Sequence, residues 1–278
     1  MAKPQGTCVY CGRFDVTKQH VWPDWLVSVL PRDESSNSQQ LIDISSPTAG
    51  LTVIRPQVVI RRGDPGARKI RNVCGQCNSG WMSRLESAAK PLLTELILGR
   101  QVTLDTNAQC ALAAWVTMFC ITAEYTDRDH RGIPAADRAA LMTSSRPPES
   151  WRIFIGRYRG TEWARRYAHC GFIFQRNNGA NALCGAAQCS TFVVGELAVY
   201  ACSASIPDAD IARYLAPADD VALKQIWPPI HAALDSHAAD IHGDVALQTL
   251  AQKVQLELAH SGLTAHGTRV LPAGLLEL

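Results

Sequence analysis

The sequence predicts an α+β protein in two parts: a small zinc-stapled module over residues 1–100, then a larger α+β domain with an antiparallel sheet over residues 101–278. Three observations predict it. Two C-x-x-C pairs, Cys8/Cys11 and Cys74/Cys77, bracket the first part. Apolar residues recur at helical spacing between Asp105 and Tyr125. From Trp151 onward the pattern changes to segments rich in Phe, Ile, Val and Tyr, separated by Gly-rich turns.

Each C-x-x-C turn points two thiolates the same way, and two such turns offer the four soft ligands of a closed structural zinc site. The pairs are separated by 62 residues, so something folded must lie between them. Closing that loop costs roughly 4 kcal/mol plus a constant. Structural zinc supplies on the order of 10–16 kcal/mol and offsets it. Buried or disulfide-bonded cysteines are the competing reading.

Hydrophobic residues make up 47% of the chain and charged ones 19%, which suits a sizeable core. The net charge of +2 names no partner, so any affinity for nucleic acid must come from a local patch. The opening MAKPQGTC has no apolar leader and no run is long enough to span a bilayer, so a cytoplasmic protein is expected. Cys110, Cys120, Cys170, Cys184, Cys189 and Cys202 read as buried free thiols of a reducing compartment.

In chain order, Thr17 to Val21 reads as a strand end delivering His20. Pro23 opens a helix with Trp25, Leu26, Val29 and Leu30 on its apolar face, and Pro31 ends it. Residues 33–40, DESSNSQQ, read as a polar loop, with strands over 41–44 and 51–60. Arg55, Arg61, Arg62, Arg68, Lys69 and Arg71 cluster before the second knuckle. They read either as a solvated basic loop or as a phosphate-contacting surface. A helix is expected over 78–98 with a break at Pro91, burying Trp81, Leu85, Ala88, Leu92 and Leu96. Its Asn78, Met82 and Glu86 lie on another stripe, turned towards the strand that carries His20.

The order C-x-x-C, His20-Val21-Trp22-Pro23, then C-x-x-C-Asn78 resembles the HNH endonucleases, the ββα-metal or His-Me finger nucleases, in their four-cysteine zinc subtype. The match covers residues 7 to about 90. It implies a ββα-metal fold and hydrolysis of phosphodiester bonds in nucleic acid, DNA first, with Mg²⁺ or Mn²⁺ as the catalytic ion. It also implies His20 as general base, a role that suits an imidazole at neutral pH, and Asn78 as a ligand of that ion. Gln19 stands where the family carries an acidic ligand. Ile70 stands where the family has its middle Asn, with Asn72 the nearest candidate. Asp24 and Glu86 are the carboxylates near enough in sequence to compensate. Arg61, Arg62, Arg68, Lys69 and Arg71 become the expected nucleic-acid contacts. The alternative is a nucleic-acid-binding or protein-interaction zinc module with a decayed site.

The second part is expected to hold a helix over 105–125 capped by Thr106 or Asn107, with Leu112, Trp115, Val116, Phe119 and Cys120 buried. A short helix over 134–142, strands over 151–158, 168–175, 189–194 and 196–204, and a helix over 245–258 follow. Asp127 to Arg131 reads as a charged turn, and His231, His237 and His242 as surface residues. No repeat, P-loop, dinucleotide fingerprint or nucleophile elbow is present, and no role for this part is legible.

Overall fold

The computed structural model describes residues 6–30, 36–41, 44–45, 52–53, 57–62, 68–126, 132–163, 166–176, 183–205, 215–217, 222–251 and 268–272. The chain is α+β with antiparallel sheets. Strand β1 (Val16–His20) leads into a 3-10 turn, Asp24–Ser28, opened by Pro23. Leu26 is buried there, and Trp25, Val29 and Leu30 pack half-buried against the core. β2 (Ser36–Leu41), β3 (Ile44–Ser45), β4 (Thr52–Val53) and β5 (Gln57–Arg62) form two antiparallel ribbons, β2 with β5 and β3 with β4. The polar run expected as a loop is therefore strand from Ser36 onward. A two-stranded ladder is held by backbone groups, so it can form without an apolar face.

β6 (Lys69–Cys74) pairs antiparallel with β1, placing His20 opposite Lys69 and Val16 opposite Cys74, with a bulge between Thr17 and Gln19. A short turn α1 (Gly75–Cys77) follows, then a π-type turn over Asn78–Met82, then α2 (Ser83–Ile97). Two expectations fail here. The helical course starts at Gly75 because the Cys74 sulfur caps it, accepting the Cys77 N–H at 3.4 Å. It also continues through Pro91, which sits on the exposed side. The π-type turn shifts the buried stripe by one residue, so Ala89 and Leu93 are buried while Ala88 is exposed and Leu92 only half-buried.

Beyond β7 (Thr103–Asp105), α3 (Thr106–Glu124) is buried along most of its length, including all five residues expected to be. Its cap is Asp105, whose carboxylate accepts the Ala108 N–H at 2.8 Å, rather than Thr106 or Asn107. After α4 (Ala135–Ser144) come β8 (Trp151–Tyr158), β9 (Arg166–Arg176), β10 (Leu183–Val194), β11 (Leu197–Ala204), β12 (Lys224–Trp227), β13 (Ala233–Asp235), β14 (Asp240–Ile241) and β15 (Thr268–Pro272). The seven-stranded sheet runs β12-β8-β11-β10-β9-β15, with β14 beside β8. The described part of the last expected helix is helical over 244–251. The charged turn at 127–131 lies outside the described residues.

Both faces of the large sheet are covered, which explains why β11 is apolar at nearly every position. Leu197, Val199 and Ala201 face a core shared with α3, while Ala198, Tyr200 and Cys202 face a second core with Leu247 and Leu250. The first core is continuous from Cys8, Val73 and Cys77 through Trp115 and Phe119 to Trp151 and Ile226, so it crosses residue 100 without a break. Arg138 of α4 adds a polar tie, donating from Nε to the Val9 carbonyl at 3.0 Å in the first knuckle.

Candidate metal centre and adjoining cleft

The two knuckles meet because β1 and β6 pair: Val16 lies opposite Cys74, which brings the first C-x-x-C turn over the second. The first turn is closed by the Gly12 N–H to the Cys8 carbonyl at 2.9 Å, with Gly12 at φ +76°, a conformation that favours glycine. The sulfurs of Cys8, Cys11, Cys74 and Cys77 all lie within 4.8 Å of one another, and Cys11 Sγ is 3.5 Å from Cys74 Sγ. A tetrahedral zinc–thiolate site has sulfurs roughly 3.8 Å apart, given bonds of about 2.3 Å. The four free thiols thus fit a metal ion such as zinc. Burial pushes the Cys74 and Cys77 thiols up, as does the crowding of neighbouring sulfurs. Burial also acts on Cys8, but N–H groups of Cys74, Cys11 and Tyr10 outweigh it and lower that thiol to about 7. Four such sulfurs become thiolates together only when a cation shares their charge. Trp81 and Tyr10 close one side of the centre, edge to face at 4.9 Å.

Beside this centre lies a cleft of about 180 Å³ lined by Gln19, His20, Asp24, Asn78 and Glu86, with Lys18 at its edge and Trp115, Met118, Phe119 and Thr122 behind. All five polar residues singled out in the sequence are therefore gathered around one space. β1 ends in His20, the 3-10 turn presents Asp24, and the π-type turn after Cys77 presents Asn78 about two turns before Glu86. His20 Nε2 lies 3.4 Å from Asp24 Oδ1, with the imidazole 23% and the carboxylate 81% exposed. Burial raises the Glu86 carboxyl above the usual range, and the charge of Asp24 adds to it. Gln19 Oε1 is buried and accepts no hydrogen bond from the described residues. Asn72, named in the sequence as a further candidate, is buried in β6 with both amide atoms unpaired among the described residues.

The basic cluster divides. Lys69 and Arg71 are exposed on β6. Arg61 and Arg62 lie on β5 with their side chains outside the described residues, and Arg55 lies outside the described residues altogether. Arg68 is turned inward. Its Nη1 donates to the Tyr167 hydroxyl at 2.9 Å and its Nη2 to the Thr126 carbonyl at 2.8 Å.

Two features of the site escaped the sequence reading. One is α3, which backs the cleft with Trp115, Met118 and Phe119. Its apolar, Ala-rich composition on all sides was the available signal that it is a central helix with a neighbour on every face. The other is Trp22, 1% exposed and tilted against Phe119 at 4.3 Å, which anchors the chain two residues after His20. Among the described residues no helix is long and apolar enough to cross a membrane. No known protein family, curated protein or solved structure matches the chain.

Proposed function

We propose that the chain is a metal-dependent endonuclease of the HNH kind, hydrolysing phosphodiester bonds of nucleic acid, DNA first, with a structural zinc and a catalytic Mg²⁺ or Mn²⁺. The observation that carries the reading is the convergence of His20, Asn78, Asp24 and Glu86 on one cleft beside the four-cysteine cluster. The imidazole takes the proton of the attacking water, and the Asp24 carboxylate 3.4 Å away orients the ring and favours the imidazolium that results. The donor set suits a hard divalent ion: an amide oxygen from Asn78 and carboxylates from Asp24 and Glu86 replace the charge that Gln19 lacks. Bound there, the ion supplies positive charge to the phosphate and the leaving oxygen.

The direct test is incubation of the protein with supercoiled plasmid, linear DNA and RNA in Mg²⁺, Mn²⁺ or EDTA. Cleavage that EDTA abolishes supports the reading; intact substrates under every metal condition refute it. Gln19 favours a second reading, a zinc module that binds nucleic acid or protein without cutting, because its side chain offers no charge at the family's ligand position.

Two further outcomes are expected. Gln19→Glu tightens Mn²⁺ binding and raises cleavage at limiting metal, whereas Glu86→Gln and Asp24→Asn weaken both; a metal titration of the three variants reads this. If Gln19→Glu changes nothing, the first carboxylate position is not part of the ion's site in this chain. On duplex DNA, Lys69→Ala and Arg71→Ala each reduce the log–log salt slope of binding by about 0.9 for a lost phosphate contact. An unchanged slope would reduce these cations to a solubilising role.

A further inference from the structure

We propose that Arg68 is a positioning residue for His20, and that α3 and the large sheet serve the cleft as the rigid body to which the end of β1 is tied; this rests on reading His20 as the base. His20 is the last residue of β1, and strand ends are where a ladder opens most easily. Here the end is held from both sides. The N–H of Val21, the next residue, donates to the Arg68 carbonyl at 2.9 Å, extending the pairing one step past His20 and Lys69.

Arg68 is itself anchored outside the β1–β6 ribbon. Its fork spans the Tyr167 hydroxyl on β9 and the Thr126 carbonyl just past the C-terminal end of α3. Tyr167 donates onward to Thr126 Oγ1 at 2.7 Å, and Thr126 Oγ1 to the Ala123 carbonyl at 2.6 Å. A cation at a helix C-terminus is also favoured by the helix dipole. On the other strand, Trp22 packs against Phe119 at 4.3 Å, Phe192 at 5.9 Å and the same Tyr167 at 6.2 Å. His20 therefore sits between two segments pinned to one rigid body, with Tyr167 touching both pins. A general base loses efficiency steeply when misplaced by even an ångström. The planar two-pronged fork matters here, and a lysine ammonium cannot span both acceptors in the same way.

Tyr167→Phe and Arg68→Lys test this. The first keeps the ring against Trp22 and leaves the Arg68 charge in place; the second keeps the charge but loses the fork. In both, hydrogen exchange at the Val21 amide is expected to quicken by about tenfold, the scale of one lost charge-assisted hydrogen bond, while amides in the middle of α3 keep their protection. In steady-state cleavage, kcat falls by about ten- to a hundredfold with KM and the salt slope unchanged. An unaltered Val21 exchange rate in both variants overturns the proposal. So does a rise in KM for Arg68→Lys with normal kcat in Tyr167→Phe, the signature of a phosphate contact. If the wild-type protein cuts nothing, the exchange result still decides whether the tie exists, and the failure falls on the nuclease reading alone.

Discussion

Replacing Cys74 by serine is expected to abolish zinc binding and to unfold the N-terminal part of the chain. Cys74 is fully buried, caps the helical turn that follows it, and ends the strand that pairs with β1. Structural zinc contributes on the order of 10–16 kcal/mol, against a total stability of about 5–15 kcal/mol for a typical domain. The remaining structure cannot absorb that loss. The damage should also spread, because Cys8, Cys74 and Cys77 belong to the same core as Trp115, Phe119 and Trp151. Metal analysis should find one zinc per wild-type chain and none in the variant. Circular dichroism should show a lower and broadened thermal transition that includes signal from the second part. A wild-type protein that is folded and free of metal after purification without chelator would end the idea.

Replacing His20 by alanine is expected to lower the cleavage rate by about 10²–10⁴-fold, roughly 3–5 kcal/mol of barrier. Zinc content, melting temperature and nucleic-acid affinity should stay near wild type. The imidazole lines the cleft beside Asp24, which is 81% exposed, and is not among the four cysteines of the metal centre. The fall should appear in kcat, since a general base acts on the reacting water and adds little to ground-state binding. Asn78→Ala should match it in size but differ in kind, being partly rescued by raised Mn²⁺. Cleavage by His20→Ala at the wild-type rate would remove His20 from the chemistry. Equal loss of binding and zinc would instead show that the side chain holds the fold together.

The candidate site residues could be named from the linear chain because each depends on short-range order. A C-x-x-C turn juxtaposes its own sulfurs, Asn78 is fixed by following Cys77, and α3 and the main strands announce themselves by period. The α+β class and each cysteine knuckle needed nothing more, whereas the meeting of the two knuckles needed β1 and β6 to pair. The arrangement around the cleft depended on long-range packing, which local periodicity does not encode. Nothing near Ala88 shows that a π-type turn will rotate the buried stripe onto Ala89 and Leu93. The polar run Ser36–Leu41 became strand because a partner ladder was available to it. Arg68 looked like one of six equivalent cations, and only the distant Tyr167 and Thr126 turned it inward. The sequence by itself determined which side chains are candidates for binding metal and moving a proton. The tertiary structure decided which of them share a cleft and what holds them there, since contacts between residues a hundred positions apart arise only when the core closes.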